Sequence, residues 1–146
     1  MNNRTIEVFS SDPIFANNHT WIQDLFHSLD RLADFKLPPG DLSVALLNEQ
    51  EIIELHDTYL EDPTPTDVIT FPGDAALGFA GEICVCIDVA KERAEEFKQT
   101  FDEELRLYLI HGWLHLVGYD DLTEADAQKM RQAEKTVLSA LSALKS

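Results

Sequence analysis

The stretch Leu107-Tyr-Leu-Ile-His111-Gly-Trp-Leu-His115-Leu-Val-Gly118-Tyr-Asp120-Asp121 is apolar around nearly its whole helical circumference, and its only strongly polar side chains before Gly118 are two histidines. A helix that is apolar all round belongs inside a domain, so the segment predicts the central element against which the rest packs. Histidines four apart lie on one helix face, about one 5.4 Å turn from each other, and both imidazoles can reach one metal ion. Gly118 is placed to end the helix, since glycine enters a positive-φ C-terminal turn without a Cβ penalty. The returning chain then offers Asp120 or Asp121 as a third ligand, and spacing alone does not choose between them.

Upstream, Thr100 with Glu103 three residues later forms a capping-box sequence that starts this helix, and Asp88 is the expected cap of a helix through about 98. Residues 82–87 read as a strand. A small-residue, hairpin-like connection, 73–81, joins it to a short apolar strand at 68–71 that Pro72-Gly73 is expected to stop. Residues 42–47 form a mostly buried strand, followed by Asn48 as N-cap of a helix to about 59, and Ile6, Val8 and Phe9 mark a first strand closed by Ser10-Ser11-Asp12-Pro13. Trp21, Ile22, Leu25, Phe26, Leu29 and Leu32 recur at three and four and predict an amphipathic helix over about 18–35. Downstream, Thr123 and Asp126 resemble a cap for a last helix to about 144. The expected fold is α+β: a single domain over 1–146, with a four-stranded, mostly parallel or mixed sheet packed by about five helices. The metal site would lie on the central helix and the turn after it.

Eleven basic against 27 acidic residues give a formal charge of -16, which repels polyanions at long range and argues against DNA or unspecific nucleic-acid binding. Any RNA must be met locally. No run has the length of a membrane span and the N-terminal residues lack a signal-peptide core, so a cytoplasmic protein without a membrane partner is expected. Cys84 and Cys86 are two apart in a strand-like run, too close for an unstrained disulfide, and read as core-filling thiols of a reducing compartment.

Histidines at 0 and +4, glycine at +7 and a ligand at +10 also match the spacing of metzincin proteases. There, a glutamate beside the first histidine is the general base, and here that position is Gly112, which argues against peptide hydrolysis. Pro65-Thr-Asp-Val-Ile-Thr-Phe-Pro72, Gly81-Glu-Ile-Cys-Val-Cys and His111-Gly-Trp-Leu-His-Leu-Val-Gly-Tyr-Asp120 together resemble the YbeY family of bacterial endoribonucleases. The resemblance implies a metal-dependent hydrolase that cuts single-stranded RNA. It also implies roles in ribosomal RNA processing, including 16S rRNA 3′-end maturation, and in ribosome quality control, with rRNA and the small ribosomal subunit or one of its proteins as partners. It implies one Zn2+ per chain, held by His111, His115 and Asp121, the last standing where the family has a third histidine. An aspartate oxygen there also admits other divalent metals. Two further departures concern the substrate: Leu60 stands where the family has an arginine, and His56 where it has an asparagine. His56 is therefore a substrate-binding candidate, and Arg106, with Arg4, a candidate for the cation that the missing arginine would have supplied.

Overall fold

Residues 4–10, 12 and 19–144 are described by a computed structural model. In chain order the elements are β1 Ile6–Ser10, α1 Thr20–Leu29, β2 Asp41–Leu47, α2 Glu49–Leu60, β3 Val68–Asp74, a 3-10 turn Ala75–Leu77, β4 Phe79–Cys86, α3 Ile87–Glu96, α4 Phe101–Val117 and α5 Glu124–Leu144. The four strands form one mixed sheet in the order β1-β2-β4-β3, with β1, β2 and β4 parallel and β3 antiparallel to β4. This is the α+β architecture expected from the sequence. The predicted strand stop at Ser11 and Pro13 and the predicted helix start at Asn18 lie outside the described residues.

The sheet has a thick and a thin side. Alternation along β2 sends Leu42, Val44 and Leu46 to one face, where Ile83 and Val85 of β4 join Phe26 and Leu29 of α1, Leu105, Leu109 and Trp113 of α4, and Val137 of α5. Each fully buried aliphatic of this set contributes about 1.5–3 kcal/mol of transfer free energy. The opposite face buries Ile69, Cys84 and Cys86 beneath Ile52 of α2. Both cysteines are free and buried, and burial pushes the Cys84 thiol up to about 12, so it is a packing group and not a metal ligand at neutral pH.

Two capping boxes fix where helices begin. The Asn48 side chain accepts from the Glu51 backbone N–H while the Glu51 carboxylate accepts from that of Asn48, and Thr100 and Glu103 do the same at the start of α4. Asp88 does not cap its own helix. It lies inside the first turn of α3, and its Oδ2 accepts the Glu49 N–H at 2.7 Å, capping α2 from across the fold. β4 correspondingly runs 79–86 rather than 82–87.

Two expected boundaries move for physical reasons. β3 does not stop at Pro72-Gly73 but runs to Asp74, because it is an edge strand with one ladder to satisfy and tolerates a residue without an N–H. α1 ends at Leu29 rather than near 35: Arg31 and Leu32 donate to carbonyls three residues back, and these tighter turns keep Leu32 and Phe35 in the core. Arg4 helps to hold that exit. It is 5% exposed, and its guanidinium pairs with Asp30 at 2.8 Å and donates to the carbonyls of Pro38 and Gly40 at 2.9 and 2.7 Å. Arg4 is thus a structural clasp and is not available to a substrate.

Gly112 is where α4 lies closest to the sheet. A Cβ there would stand 2.7 Å from the Ile83 Cγ2 methyl and 3.3 Å from the methyls of Thr70 and Val68. Gly112→Ala is expected to lower stability by about 1–3 kcal/mol, since neither the sheet nor the buried Ile83 can step back. A denaturant melt checks this, and an unchanged midpoint would contradict the contact. The same geometry counts against the protease comparison, because Gly112 carries no carboxylate and the sheet leaves no room there for a larger side chain.

Candidate metal centre

α4 delivers the histidine pair, and the turn after it delivers the carboxylate. The helix closes with paired reverse bonds, Tyr119 N–H to the Leu114 carbonyl at 2.9 Å and Gly118 N–H to that of His115 at 3.2 Å, with Gly118 at φ 131°. A residue with a Cβ is strained at that φ. The Tyr119 ring packs against Phe35, 6.2 Å between centroids, and fixes the direction in which the chain leaves.

The result is a triangle of donor atoms. His111 Nε2 and His115 Nε2 lie 3.1 Å apart, and Asp121 Oδ2 lies 3.4 Å from the first and 3.7 Å from the second. Of the two aspartates left open by spacing, Asp121 is the one that closes the cluster; Asp120 lines a neighbouring cavity. A circle through three atoms with these separations has a radius of about 2.0 Å, which is the bond length of zinc to imidazole nitrogen and carboxylate oxygen. His111 Nδ1 lies 2.8 Å from Glu134 Oε1 on α5. The carboxylate accepts the Nδ1 hydrogen, which leaves the Nε2 lone pair pointing at its two neighbours. Two imidazole nitrogens and a carboxylate oxygen this close together form a ready set of donors for a cation. His111, His115 and Asp121 are therefore positioned to hold a metal ion.

Burial acts to lower the His111 pKa, but the hydrogen bond to Glu134 and the charges of Glu134, Asp121 and Asp67 outweigh it and raise it above the ordinary histidine value. In the metal-free protein, the protonated imidazole then contributes stability that is fully present below the unfolded value near 6.5 and is lost as pH rises through the folded value. A metal must displace that proton. Its apparent affinity is expected to climb with pH through the raised His111 pKa and then level off, with proton release on binding. Calorimetric titration across pH checks this, and an affinity that is flat between about pH 5.5 and 8 would contradict it.

Through His115 the centre borders a cleft along edge strand β3. On one side is a cavity of about 260 Å³ lined by His56, Leu60, Thr66, Val68, Ile69, Thr70 and His115. On the other is one of about 290 Å³ lined by residues that include Pro38, Thr70, Pro72, His115, Leu116 and Asp120. His115 and Thr70 border both. His56 therefore belongs to the cleft. It is not a solvated loop residue: it sits on α2 with its side chain 13% exposed. Leu60, at the end of the same helix, is 61% exposed on the cavity wall.

Arg106 is not part of this cleft. It lines a separate cavity of about 570 Å³ with Trp21, Arg31, Asp102 and Leu138, which shares no residue with either cavity beside His115. Five residues before His111 on the helix, it points to a different side of α4. The group that sequence reasoning missed is Glu134. Met130, Val137 and Leu141 form the buried stripe of α5, and 134 falls in phase with them, so a carboxylate where the stripe asks for an apolar side chain was the available signal.

The sequence model of the family described as Endoribonuclease YbeY matches residues 6–142. An Endoribonuclease YbeY from Staphylococcus carnosus is 41% identical over 108 residues, 68% of this chain and 71% of the relative. One from Staphylococcus aureus (strain JH9) is 38% identical over 112 residues, 69% of this chain and 72% of the relative. The solution structure of TM1509 from Thermotoga maritima superposes with a TM-score of 0.65 at 29% identity, covering 94% of this chain and 89% of that one. With the fold, the length of the match and the motif residues in agreement, the chain belongs to the YbeY endoribonuclease family.

Proposed function

We propose that this protein is a metal-dependent endoribonuclease that cuts single-stranded RNA, with one Zn2+ per chain bound by His111, His115 and Asp121. The observation that carries the proposal is the closed donor triangle, backed by Glu134 and opening through His115 onto a cleft, in a chain whose relatives are named endoribonucleases. When bound, the ion supplies Lewis-acid polarisation of a phosphate oxygen and lowers the pKa of a water molecule. Glu134 accepts the His111 Nδ1 hydrogen and aims Nε2 of that ring at its two neighbours, and the protein keeps the cleft open along β3 for an extended strand. Gly112, turned into the sheet, supplies no base.

Ribosomal RNA is the proposed substrate, at the 3′ end of the 16S precursor and in ribosome quality control, with the small ribosomal subunit or one of its proteins as partner and the cytoplasm as the compartment. Among the described residues, no helix is long and apolar enough to cross a membrane. The formal charge of -16 disfavours approach by sequence-independent attraction, so recognition rests on the cleft and on a protein partner. Asp121 contributes an anionic oxygen where the family has a histidine, which weakens the ion as a Lewis acid and admits manganese or magnesium beside zinc. The test is cleavage of a 16S 3′-precursor RNA by metal-loaded protein, with the same sequence annealed to its complement as control. Cutting confined to the unpaired strand supports the proposal, and equal cutting or none overturns it.

A second reading follows from Leu60. Among the described residues, neither cavity beside His115 is lined by an arginine or lysine that could clamp a phosphodiester. In this reading the protein is a metal-binding ribosome-assembly factor without nuclease activity. Leu60→Arg separates the two: it accelerates an existing cleavage if the protein is a nuclease and creates nothing if the site is structural.

A further inference from the structure

His56 carries an arrangement that a purely structural residue would not need. Its Nδ1 lies 2.8 Å from the Thr64 carbonyl oxygen, which can only accept, so Nδ1 bears the hydrogen and the lone pair of the neutral ring is on Nε2. The nearest ion-pair partner of Nε2 is Asp62 Oδ2 at 3.9 Å, beyond hydrogen-bond length. The imidazole is largely covered and forms part of the cavity wall that it shares with His115. An amide would satisfy the Thr64 carbonyl equally well. The imidazole adds a second nitrogen, without a hydrogen-bond partner among the described residues, that can take a proton within a space large enough for several waters beside His115.

We propose that His56 is the general base of the cleavage reaction, a role that rests on the endoribonuclease reading above. The oxygen of a water molecule forms the new bond to phosphorus while one of its protons passes to His56 Nε2. The bridging P–O bond breaks, the departing ribose oxygen takes a proton from solvent, and His56 returns its proton to solvent. Among the described residues, the titratable groups that face His56 are Asp62 from the following loop and His115 from α4; the β3 wall of Val68, Ile69 and Thr70 carries none. The hydrogen bond of His56 goes to Thr64 and not to a metal-ligating residue.

The experiment measures kcat/KM against pH for a single-stranded RNA oligonucleotide, at zinc concentrations that saturate every variant throughout the range. The wild type is expected to gain rate as pH rises. His56→Asn, whose amide keeps the donor to Thr64, is expected to bind the same one metal per chain, melt at nearly the same temperature, and lose about 10²-fold in rate together with that limb of the profile. Added imidazole is expected to restore part of the rate to His56→Ala. A His56→Asn protein within about twofold of wild type and with the same limb overturns the base assignment alone. Metal-loaded wild type that cuts no RNA overturns the nuclease reading and the base assignment together.

Discussion

His115→Ala is expected to lose the bound metal and, with it, RNA cleavage by roughly 10³-fold, the rate equivalent of the several kcal/mol that a bound ion supplies to a developing phosphoryl charge. The residue is half of the closest donor pair, 3.1 Å from His111 Nε2, and it borders both cavities, so its removal opens the triangle at the point nearest the substrate. Its ring is 20% exposed, and its hydrogen-bond contact is to His111, which Glu134 also holds, so the fold should survive. Metal analysis of the purified variant beside its melting curve checks this. A variant that keeps one ion per chain, or that loses the ion and still cuts, would place the chemistry elsewhere.

Glu134→Ala is expected to weaken metal binding by about 10–100-fold while leaving all three ligands in place. The carboxylate holds the His111 Nδ1 hydrogen at 2.8 Å and so fixes which nitrogen faces the metal. Without it the ring can turn or change tautomer. Glu134→Gln keeps an oxygen acceptor without the charge and should fall between wild type and alanine. Competition with a chromophoric chelator measures all three. Equal affinities would mean that Glu134 merely ties α5 to α4 and does not tune the site.

The contrast between Asp121 and Glu134 shows what kind of information a sequence holds about such a site. His111, His115, Gly118 and Asp121 fall within 11 consecutive residues, and helix geometry with one glycine turn dictates their convergence. Glu134 arrives on another helix, and only the packing of α5 on α4 brings it to His111, so local periodicity could mark it as anomalous without naming its partner. The Asn48 cap and the Thr100–Glu103 capping box were readable for the same local reason. The role of Asp88 was not, because the N–H it caps belongs to Glu49, 39 positions away in sequence.

The arginines illustrate the same limit. The missing cation at Leu60 directed attention to Arg4 and Arg106, but charge in a sequence carries no address. Arg4 is spent on Asp30 and two carbonyls, and Arg106 lies over a different cavity. Strand order also depends on tertiary choice. β4 pairs with β2 on one side and β3 on the other, and that edge position is what lets Pro72 lie inside a strand. His56 combines both kinds of information: its departure from the family asparagine is visible in the sequence, while its anchored Nδ1 and its place on the cleft wall are visible only in three dimensions.

The most direct measurement is a zinc titration of metal-stripped protein, followed by the initial rate of single-stranded RNA cleavage, run in parallel on wild type and Asp121→Ala. The His111, His115 and Asp121 triangle predicts a wild-type rate that rises linearly and breaks at one equivalent of metal, and an Asp121→Ala rate that stays near zero at that equivalence. Cleavage that is independent of added metal, or an Asp121→Ala titration indistinguishable from wild type, would contradict the account.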